Sequence, residues 1–464
     1  MRGTARSRRI RGALAAPAAL LAAALGAGCA VSGPIDEARA AYEAGRPDEA
    51  LERLADEDGV AERDRLVALL EAGWIAHAAG RIETSVAVLD RADDLIESLD
   101  ALFVAEQSAT LLINDRVARY RGEYAERLWI RTVQMMNRLL LGDLEGAAVE
   151  ARRAVRTYET HGAPLDGDVA TRVLAARTLE AVGELDGAAI EYARAFERAG
   201  GSIGTAAFAL GAADRTGRAD EARRYRTALE GVPGAGEGVV SGGSLLLAVA
   251  DGRIPPKRAG DLFIRPDLRI SFPHYAGGGP IAPGIVVEVD GARMPAPAVA
   301  TRLGTVAEAA LGARAKRVAA KQAVRAAAKQ GIGHAAHRED PLLGVLADIV
   351  LVLLEEADTR GWRTLPGTLS LLEVPLAPGT HDVTVTLDGY GPSRRLRLDG
   401  LEVRAGAPTW VELLDGPRGL ERVVARGEAD DAGADGAALA AGPGRRPGAP
   451  GRPAGAPRYS SSSR

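Results

Sequence analysis

The chain of 464 residues is 47% hydrophobic and 26% charged, a composition typical of two or three folded domains. Its net charge of −4 argues against a nucleic-acid-binding protein, since proteins of that class usually carry a strong basic excess. Cys29 is the one cysteine, which excludes an intramolecular disulfide and any cysteine-based zinc or iron–sulfur site within one chain.

Residues 1–28 have the pattern of a secretory signal peptide. Arginines are concentrated in residues 1–12, residues 13–25 are apolar, and small residues lead up to Cys29. The apolar run is shorter than the roughly 20 residues that are needed to span a bilayer. The pattern therefore predicts export rather than a transmembrane helix.

The small residues before Cys29 resemble the lipobox of bacterial lipoproteins, although Leu25 stands one position earlier than in the usual pattern. The resemblance implies cleavage before Cys29 and attachment of lipid to its thiol. Several acyl chains hold a protein stably at a membrane. Because Ala30 rather than an aspartate follows the cysteine, the resemblance favours the outer membrane, with the body facing the periplasm.

Residues 29–230 repeat a pattern of two amphipathic helices joined at a glycine, with an acidic, alanine-rich second helix. The spacings between the turn glycines are 35, 62, 41 and 34 residues, and two of the four are close to the tetratricopeptide period of about 34. The turn glycines are Gly45, Gly80, Gly142, Gly183 and Gly217.

In each repeat the glycine ends one helix in a left-handed cap, and an acid favours the start of the next helix. Small residues such as Ala50, Ala147, Ala148 and Ala188 allow the paired helices to approach closely. One hairpin cannot bury its apolar face alone, so stacking into a curved array is expected. The predicted fold class is α+β: an N-terminal all-α tetratricopeptide-like array, then a smaller β-rich module with about two inserted helices.

The segment at residues 114–127 interrupts the period and mixes charges of both signs with two tyrosines. Tyrosine and arginine are enriched where proteins meet, which makes this a candidate interaction surface, although internal ion pairs are the alternative. The candidate interaction residues are Asp115, Arg116, Tyr120, Glu123, Tyr124, Glu150, Arg152, Asp358, Arg360 and Trp362.

Three stretches, 114–127, 142–153 and 357–362, resemble an uncharacterised family of tetratricopeptide-repeat lipoproteins of Gram-negative bacteria. The resemblance implies a location and a fold more than an activity. It places the chain near envelope-assembly lipoproteins, including regulators of peptidoglycan synthesis. The partners it implies are envelope proteins, the membrane itself and peptidoglycan.

The second half begins after a glycine-rich linker at 231–243. Residues 244–363 are predicted as a mixed α/β region with strands at 244–250, 262–272 and 285–289, a turn at Asp290-Gly291, and helices at 301–330 and 342–357. Residues 364–415 carry four predicted strands and resemble the PEGA domain, a small non-catalytic β-sandwich. Residues 425–464, rich in Gly, Pro, Ala and Arg, have the composition of a disordered tail.

The predicted helix at 301–330 carries a row of basic residues on one face, at spacings of three and four. In an exported protein this row could contact anionic lipid, cell-wall polymer or an acidic protein surface. The alternative is a solvated helix face or pairing with the acidic first domain. The residues are Arg314, Arg317, Lys321, Arg325 and Lys329.

Motifs for catalysis are weak. Ser202 lies in a G-x-S-x-G pattern, but a predicted helix precedes it, so Ser202 is expected to cap the next helix. His334 and His337, with Glu339 and Asp340, lack the spacing of a metal site, and no cofactor is predicted.

The predicted function is an envelope scaffold that binds proteins rather than an enzyme. The alternatives are a cell-wall-acting or muropeptide-binding protein that uses carboxylates such as Glu150 and Asp358, and a structural spacer.

Overall fold

Five helical hairpins form the N-terminal half in the computed structural model, which describes residues 33–56, 59–106, 119–232, 242–265, 268–277, 279–313, 357–389, 392–406 and 408–425. The helices, paired in chain order, are α1 (Gly33–Glu43), α2 (Pro47–Ala55), α3 (Arg65–Ala78), α4 (Ile82–Glu106), α5 (Tyr124–Leu140), α6 (Leu144–His161), α7 (Val169–Ala181), α8 (Leu185–Arg198), α9 (Ile203–Arg215) and α10 (Ala219–Ala228). None of these helices is both long and apolar enough to cross a membrane.

The turns within the hairpins have the predicted geometry. All five predicted turn glycines have a positive φ, between 69° at Gly217 and 85° at Gly183. In each turn the residue after the glycine donates its N–H to a carbonyl five residues earlier, as Arg81 does to Ala76 at 2.9 Å. This hydrogen bond pairs a carbonyl oxygen near the helix end that has no donor within the helix. The small residues predicted at the helix contacts, Ala50, Ala147, Ala148 and Ala188, are fully buried.

Among the residues that the structure describes, the C-terminal half contains two main sheets and one hairpin. Its elements are β1 (Gly243–Asp251), β2 (Lys257–Arg265), β3 (Leu268–Tyr275), β4 (Gly284–Val289), β5 (Ala292–Met294), β6 (Val299–Arg302), a helix α11 at 303–313, β7 (Thr368–Leu376), β8 (Gly379–Asp388), β9 (Arg394–Val403), β10 (Pro408–Gly416) and β11 (Gly419–Val423). The strand order is β11-β10-β1-β7-β6 in the first sheet and β5-β4-β8-β9 in the second, while β2 pairs with β3.

The helices, the first sheet and the second sheet form three layers. Strand β1 is buried along its whole length because it lies in the middle layer. Leu245, Leu247 and Val249 belong to the apolar core shared with the second sheet. Leu246 and Ala248 alternate with them and belong to the core shared with the helices. The described helical and β parts therefore lie in one compact unit, which ends at Ala425.

The predicted boundary at residue 363 does not separate two sheets. Strand β7 pairs with β1, and β8 pairs with β4, so strands from both predicted regions share both sheets. The physical reason is that β1 carries apolar side chains on both faces. The strands next to it in the sequence cannot bury both faces. Resemblance of residues 364–415 to the PEGA domain stays a prediction.

Two other elements differ from the sequence prediction, and one agrees with it. The single strand expected at 262–272 is instead parts of two antiparallel strands, β2 and β3, which pair with each other. The helix expected from residue 301 starts at 303, because Thr301 is still paired with Leu369 in β6 and β7. The expected turn at Asp290-Gly291 is present, with φ of 51° and 80°.

A close approach between helix α9 and the segment before β6 leads to a stability prediction. A Cβ added at Gly204 would lie 2.2 Å from the backbone oxygen of Ala298, so Gly204→Ala is expected to destabilise the fold by about 1–3 kcal/mol. A Cβ added at Gly211, in the same helix, would make only an ordinary contact, 3.9 Å from Nη1 of Arg215, and Gly211→Ala is expected to be neutral or stabilising. Urea unfolding of both variants checks this, and equal effects would contradict the close approach.

Candidate functional site

Five of the predicted interaction residues meet in a buried polar network between the repeats and the β half. They are Tyr120, Glu123, Asp358, Arg360 and Trp362, and other members come from α1, the turn before α3, α3, α5 and β2. We call this network the junction cluster; the members outside the predicted set are Arg39, Asp64, Glu71, Glu126 and Lys257.

Glu71 is the central acceptor of the junction cluster and is fully buried. Its Oε1 accepts from Nε of Arg39 at 2.7 Å and from the backbone N–H of Arg363 at 2.9 Å. Its Oε2 accepts from the backbone N–H of Thr364 at 3.0 Å and from the Thr364 hydroxyl. Arg39 in turn donates to the carbonyl of Gly361 at 2.9 Å. The first two repeats therefore hold an extended segment of their own chain by its main chain.

Glu126, at the start of α5, holds the same segment from the other side. Its Oε1 accepts from the backbone N–H of Trp362 at 2.7 Å, and its Oε2 accepts from the Tyr120 hydroxyl at 2.5 Å and the Glu123 N–H at 2.8 Å. Burial raises the pKa of Glu126, and burial together with the Glu126 charge raises the pKa of Tyr120 well above its ordinary value. The phenol therefore stays a proton donor to Glu126.

Two cations complete the junction cluster. Lys257 is buried, with its Nζ 2.8 Å from Oε1 of Glu123. Burial lowers the pKa of Lys257, but Glu123 and the neighbouring Tyr275 and Glu126 outweigh that effect, so the pKa is raised and the ammonium stays charged. Arg360 donates to both carboxylate oxygens of Asp358 at 2.9 and 2.8 Å, and also to the Arg63 carbonyl at 2.9 Å.

The junction cluster is largely buried, and most of its donors and acceptors bind one another, although the indole N–H of Trp362 has no acceptor among the described residues. A carboxylate such as Glu71, surrounded by donors of its own chain, has no free lone pair with which to bind a substrate. Tyr120 is 4% exposed, and Trp362 is 2% exposed. The arrangement holds the two halves together, and contact of these residues with another protein stays an untested prediction.

The remaining predicted residues that the structure describes lie elsewhere. Glu150 accepts from Arg131 at 3.3 Å and from Arg153 at 3.0 Å, a network separate from that of Asp358. Arg152 forms an exposed ion pair with Glu184. Tyr124 stacks on His161, with ring centroids 3.8 Å apart. The two carboxylates of the enzyme hypothesis, Glu150 and Asp358, thus do not share a network.

Several candidates fall outside the ranges that the structure describes. They are Cys29, Asp115, Arg116, His334, His337, Glu339, Asp340 and the basic row Arg314, Arg317, Lys321, Arg325 and Lys329. Within those ranges no group of three His, Asp, Glu or Cys side chains is placed to hold a metal ion. Ser202 is the N-cap of α9, where its hydroxyl accepts from the Thr205 N–H, as predicted.

A second buried polar contact joins the two halves, and the sequence analysis missed it. His77, at the end of α3, lies between Oδ1 of Asn137 at 2.8 Å and Oε1 of Glu412 in β10 at 2.6 Å. His77, Asn137 and Glu412 are all buried. A signal was present, because after Arg65 at its start the helix is apolar except for Glu71 and His77, which therefore need buried partners.

The first helices of the hairpins face the β half, and we call this side of the array its inner face. Arg177 of α7 binds Glu373 of β7 through two hydrogen bonds of 3.0 and 2.9 Å. Glu71 in α3, Glu126 in α5 and Gly204 in α9 lie on the same side of the array. The β half therefore covers the side on which the repeats carry their buried polar contacts.

A groove of about 430 Å³ lies where α2 and α4 flank α3, and we call it the outer groove. Its apolar wall is formed by Leu51, Leu54, Val60, Ala68, Leu69, Ala72 and Val88. Asp48, Glu52, Arg65, Arg81 and Arg91 line its edges. Unlike the inner face, this groove is open.

No protein-family model matches the chain, and no curated protein matches it. The crystal structure of MamA is similar at 14% identity, covering 42% of this chain and 92% of MamA with a TM-score of 0.30. The TPR2AB domain of yeast Sti1 in a complex with pHSP90 is similar at 15% identity, covering 45% of this chain and 81% of that chain with a TM-score of 0.19. At these TM-scores the likeness says nothing about what this chain binds.

Proposed function

We propose that this chain is a membrane-anchored envelope lipoprotein that acts as a protein-interaction scaffold. Lipid on Cys29 would hold it at the outer membrane, with its body facing the periplasm, and its partner would be an envelope protein. The basic tail and the row from Arg314 to Lys329 would add contact with peptidoglycan or another anionic polymer.

The outer groove is the observation that carries the scaffold proposal. Helical repeats offer curved surfaces for partners, and here the inner face is covered by the chain itself. The outer groove combines an apolar wall with edge charges of both signs, which suits an amphipathic helix laid with its apolar side inward. We therefore infer a partner that contributes such a helix. Glu150 and Asp358 belong to separate networks, which does not favour the enzyme alternative.

A charge placed in the outer groove tests this binding. Leu51→Glu and Val88→Glu put a carboxylate against the apolar wall and are expected to reduce partner recovery at least tenfold after crosslinking in cells, because burying an unpaired charge is costly. Val149→Glu is the matched control, since Val149 is a 41% exposed apolar residue on another second helix. Equal recovery with all three variants would refute the groove as the binding site.

The anchor is tested separately. Cys29→Ala is expected to abolish incorporation of labelled palmitate and to move the protein from the membrane fraction to the soluble fraction. The groove variants are expected to keep both properties. A Cys29→Ala protein that stays with the membrane fraction would contradict lipid anchoring while leaving the groove binding open to its own test.

A further inference from the structure

A cavity of about 640 Å³ opens between the helices and the edge of the sheets, apart from the junction cluster and the outer groove. It lies beside the turn between α5 and α6, the end of α7 and strands β9, β10 and β11. Its size falls in the range of small-molecule pockets, about 300–1,000 Å³. We call it the Arg422 pocket.

One wall of the Arg422 pocket is apolar. It is formed by Leu139, Leu140, Leu141, Leu144, Leu246 and Leu401. Leu141 and Leu144 are 37% and 38% exposed, so the chain leaves part of this wall uncovered. An uncovered leucine wall inside a cavity gains from contact with an apolar ligand, because that contact removes apolar surface from water.

Most charged side chains around the Arg422 pocket are already paired. Arg177 binds Glu373, with Nη2 and Oε1 2.9 Å apart, and Arg404 lies 3.6 Å from Glu402. Asp399 forms an ion pair with Arg397. The opposite charges within each pair cancel, so these pairs give the cavity no preference for one sign of charge.

Arg422 is the exception. Arg422 lines the cavity and remains exposed to solvent, and within the described part of the chain its guanidinium has no ion pair and no side-chain hydrogen bond. Loss of hydration at the cavity wall lowers its pKa. Beside it, the indole N–H of Trp410 is enclosed and has no acceptor among the described residues. Donors left open at a cavity are the polar groups that orient a ligand.

We propose that the Arg422 pocket binds a carboxylate with a medium-length apolar chain, such as a free fatty acid. The carboxylate pairs with Arg422, and the chain lies along the leucine wall. One uncompensated positive charge matches one negative charge, so a monoanion is preferred over a phosphate dianion. Arginine donates two parallel hydrogen bonds to a carboxylate, which fixes the head group.

Octanoate, added to the purified full-length chain in nanodiscs, tests the proposal by isothermal titration calorimetry, with empty nanodiscs as the blank. Octanoate is expected to bind at one site per chain, with octanol at least tenfold weaker and octylammonium not binding. Arg422→Gln is expected to weaken octanoate at least tenfold and to leave octanol unchanged. The matched control is Arg404→Gln, which removes a paired arginine at the rim and is expected to leave octanoate binding unchanged.

A second variant tests the location. Ala181→Phe places a ring in the cavity and is expected to abolish binding of both octanoate and octanol, with an unchanged circular dichroism spectrum as the check of folding. Octanoate binding that survives both Arg422→Gln and Ala181→Phe would overturn the proposal. Binding of an acetylated peptide through its C-terminal carboxylate, with no binding of octanoate, would also overturn it in favour of a peptide site.

Discussion

Replacing Glu71 with alanine is expected to lower the free energy of unfolding by about 3–5 kcal/mol, because one partner of a buried charged pair is removed. The change leaves the buried guanidinium of Arg39 without its main acceptor. The backbone N–H groups of Arg363 and Thr364 also lose the acceptor to which they donate. It breaks the contact that holds residues 361–364 against the first two repeats. Urea unfolding of the full chain, followed by circular dichroism, measures the loss.

The control for this prediction is Glu184→Ala, which removes an ion pair of similar chemistry at the surface. Glu184 is 41% exposed and bound to Arg152, so its loss is expected to cost less than about 1 kcal/mol. The double variant Arg39→Met with Glu71→Ala is expected to recover part of the stability, because no buried charge is left unpaired. If Glu71→Ala behaves like Glu184→Ala, the buried network does not hold the halves together.

Replacing His77 with glutamine is expected to remove a pH-dependent part of the stability. Both ring nitrogens of His77 lie against oxygen atoms, which fits a doubly protonated ring. Burial lowers the pKa of His77, but the charge of Glu412 and the hydrogen bonds to Glu412 and Asn137 outweigh it, so the pKa lies above the ordinary 6.5. The folded state thus binds this proton more tightly than the unfolded state, and its contribution is complete below pH 6.5 and is lost as the pH rises through the raised pKa.

The measurement is the free energy of unfolding between pH 6 and pH 9 for the wild type and His77→Gln. We expect the wild type to lose stability over this range, and the variant to be less stable by about 3–5 kcal/mol at pH 6 with a flatter profile. Burial and the neighbouring Asp415 raise the pKa of Asp251 to about 6, so Asp251 also makes the folded state more stable at lower pH. The slopes of the two stability profiles are therefore compared above pH 7. His381→Gln, at a histidine that is not fully buried and is bound to the exposed Asp290, serves as the control with a smaller change. Parallel profiles for wild type and His77→Gln would show that His77 is not charged when folded.

The local elements of the fold could be predicted because their causes are local. Gly80 and Gly183 end helices where only a glycine adopts the left-handed conformation easily, and both have positive φ. Asp290-Gly291 forms the expected turn for the same reason. Strand alternation predicted β7 with its observed bounds, Thr368–Leu376.

The arrangement of these elements could not be predicted, because its causes join distant parts of the chain. The sequence marked Tyr120, Glu123, Asp358, Arg360 and Trp362 as unusual, and it suggested contact with a partner. The structure places them in one internal network instead, in which Glu126 and Trp362 are separated by 236 residues. A polar side chain that needs a buried partner can be recognised from its apolar neighbours, but the identity of that partner cannot.

By itself, therefore, the sequence determined the hairpins, their turns and most of the strands, since helix caps and turn conformations depend on neighbouring residues. Only the tertiary structure decided that β1 is covered on both faces and that Glu71 receives the segment at 361–364. It also decided that Glu150 and Asp358 lie in separate networks. The physical reason is that burial and pairing of charges depend on which surfaces meet, and surfaces hundreds of residues apart meet only in the folded chain.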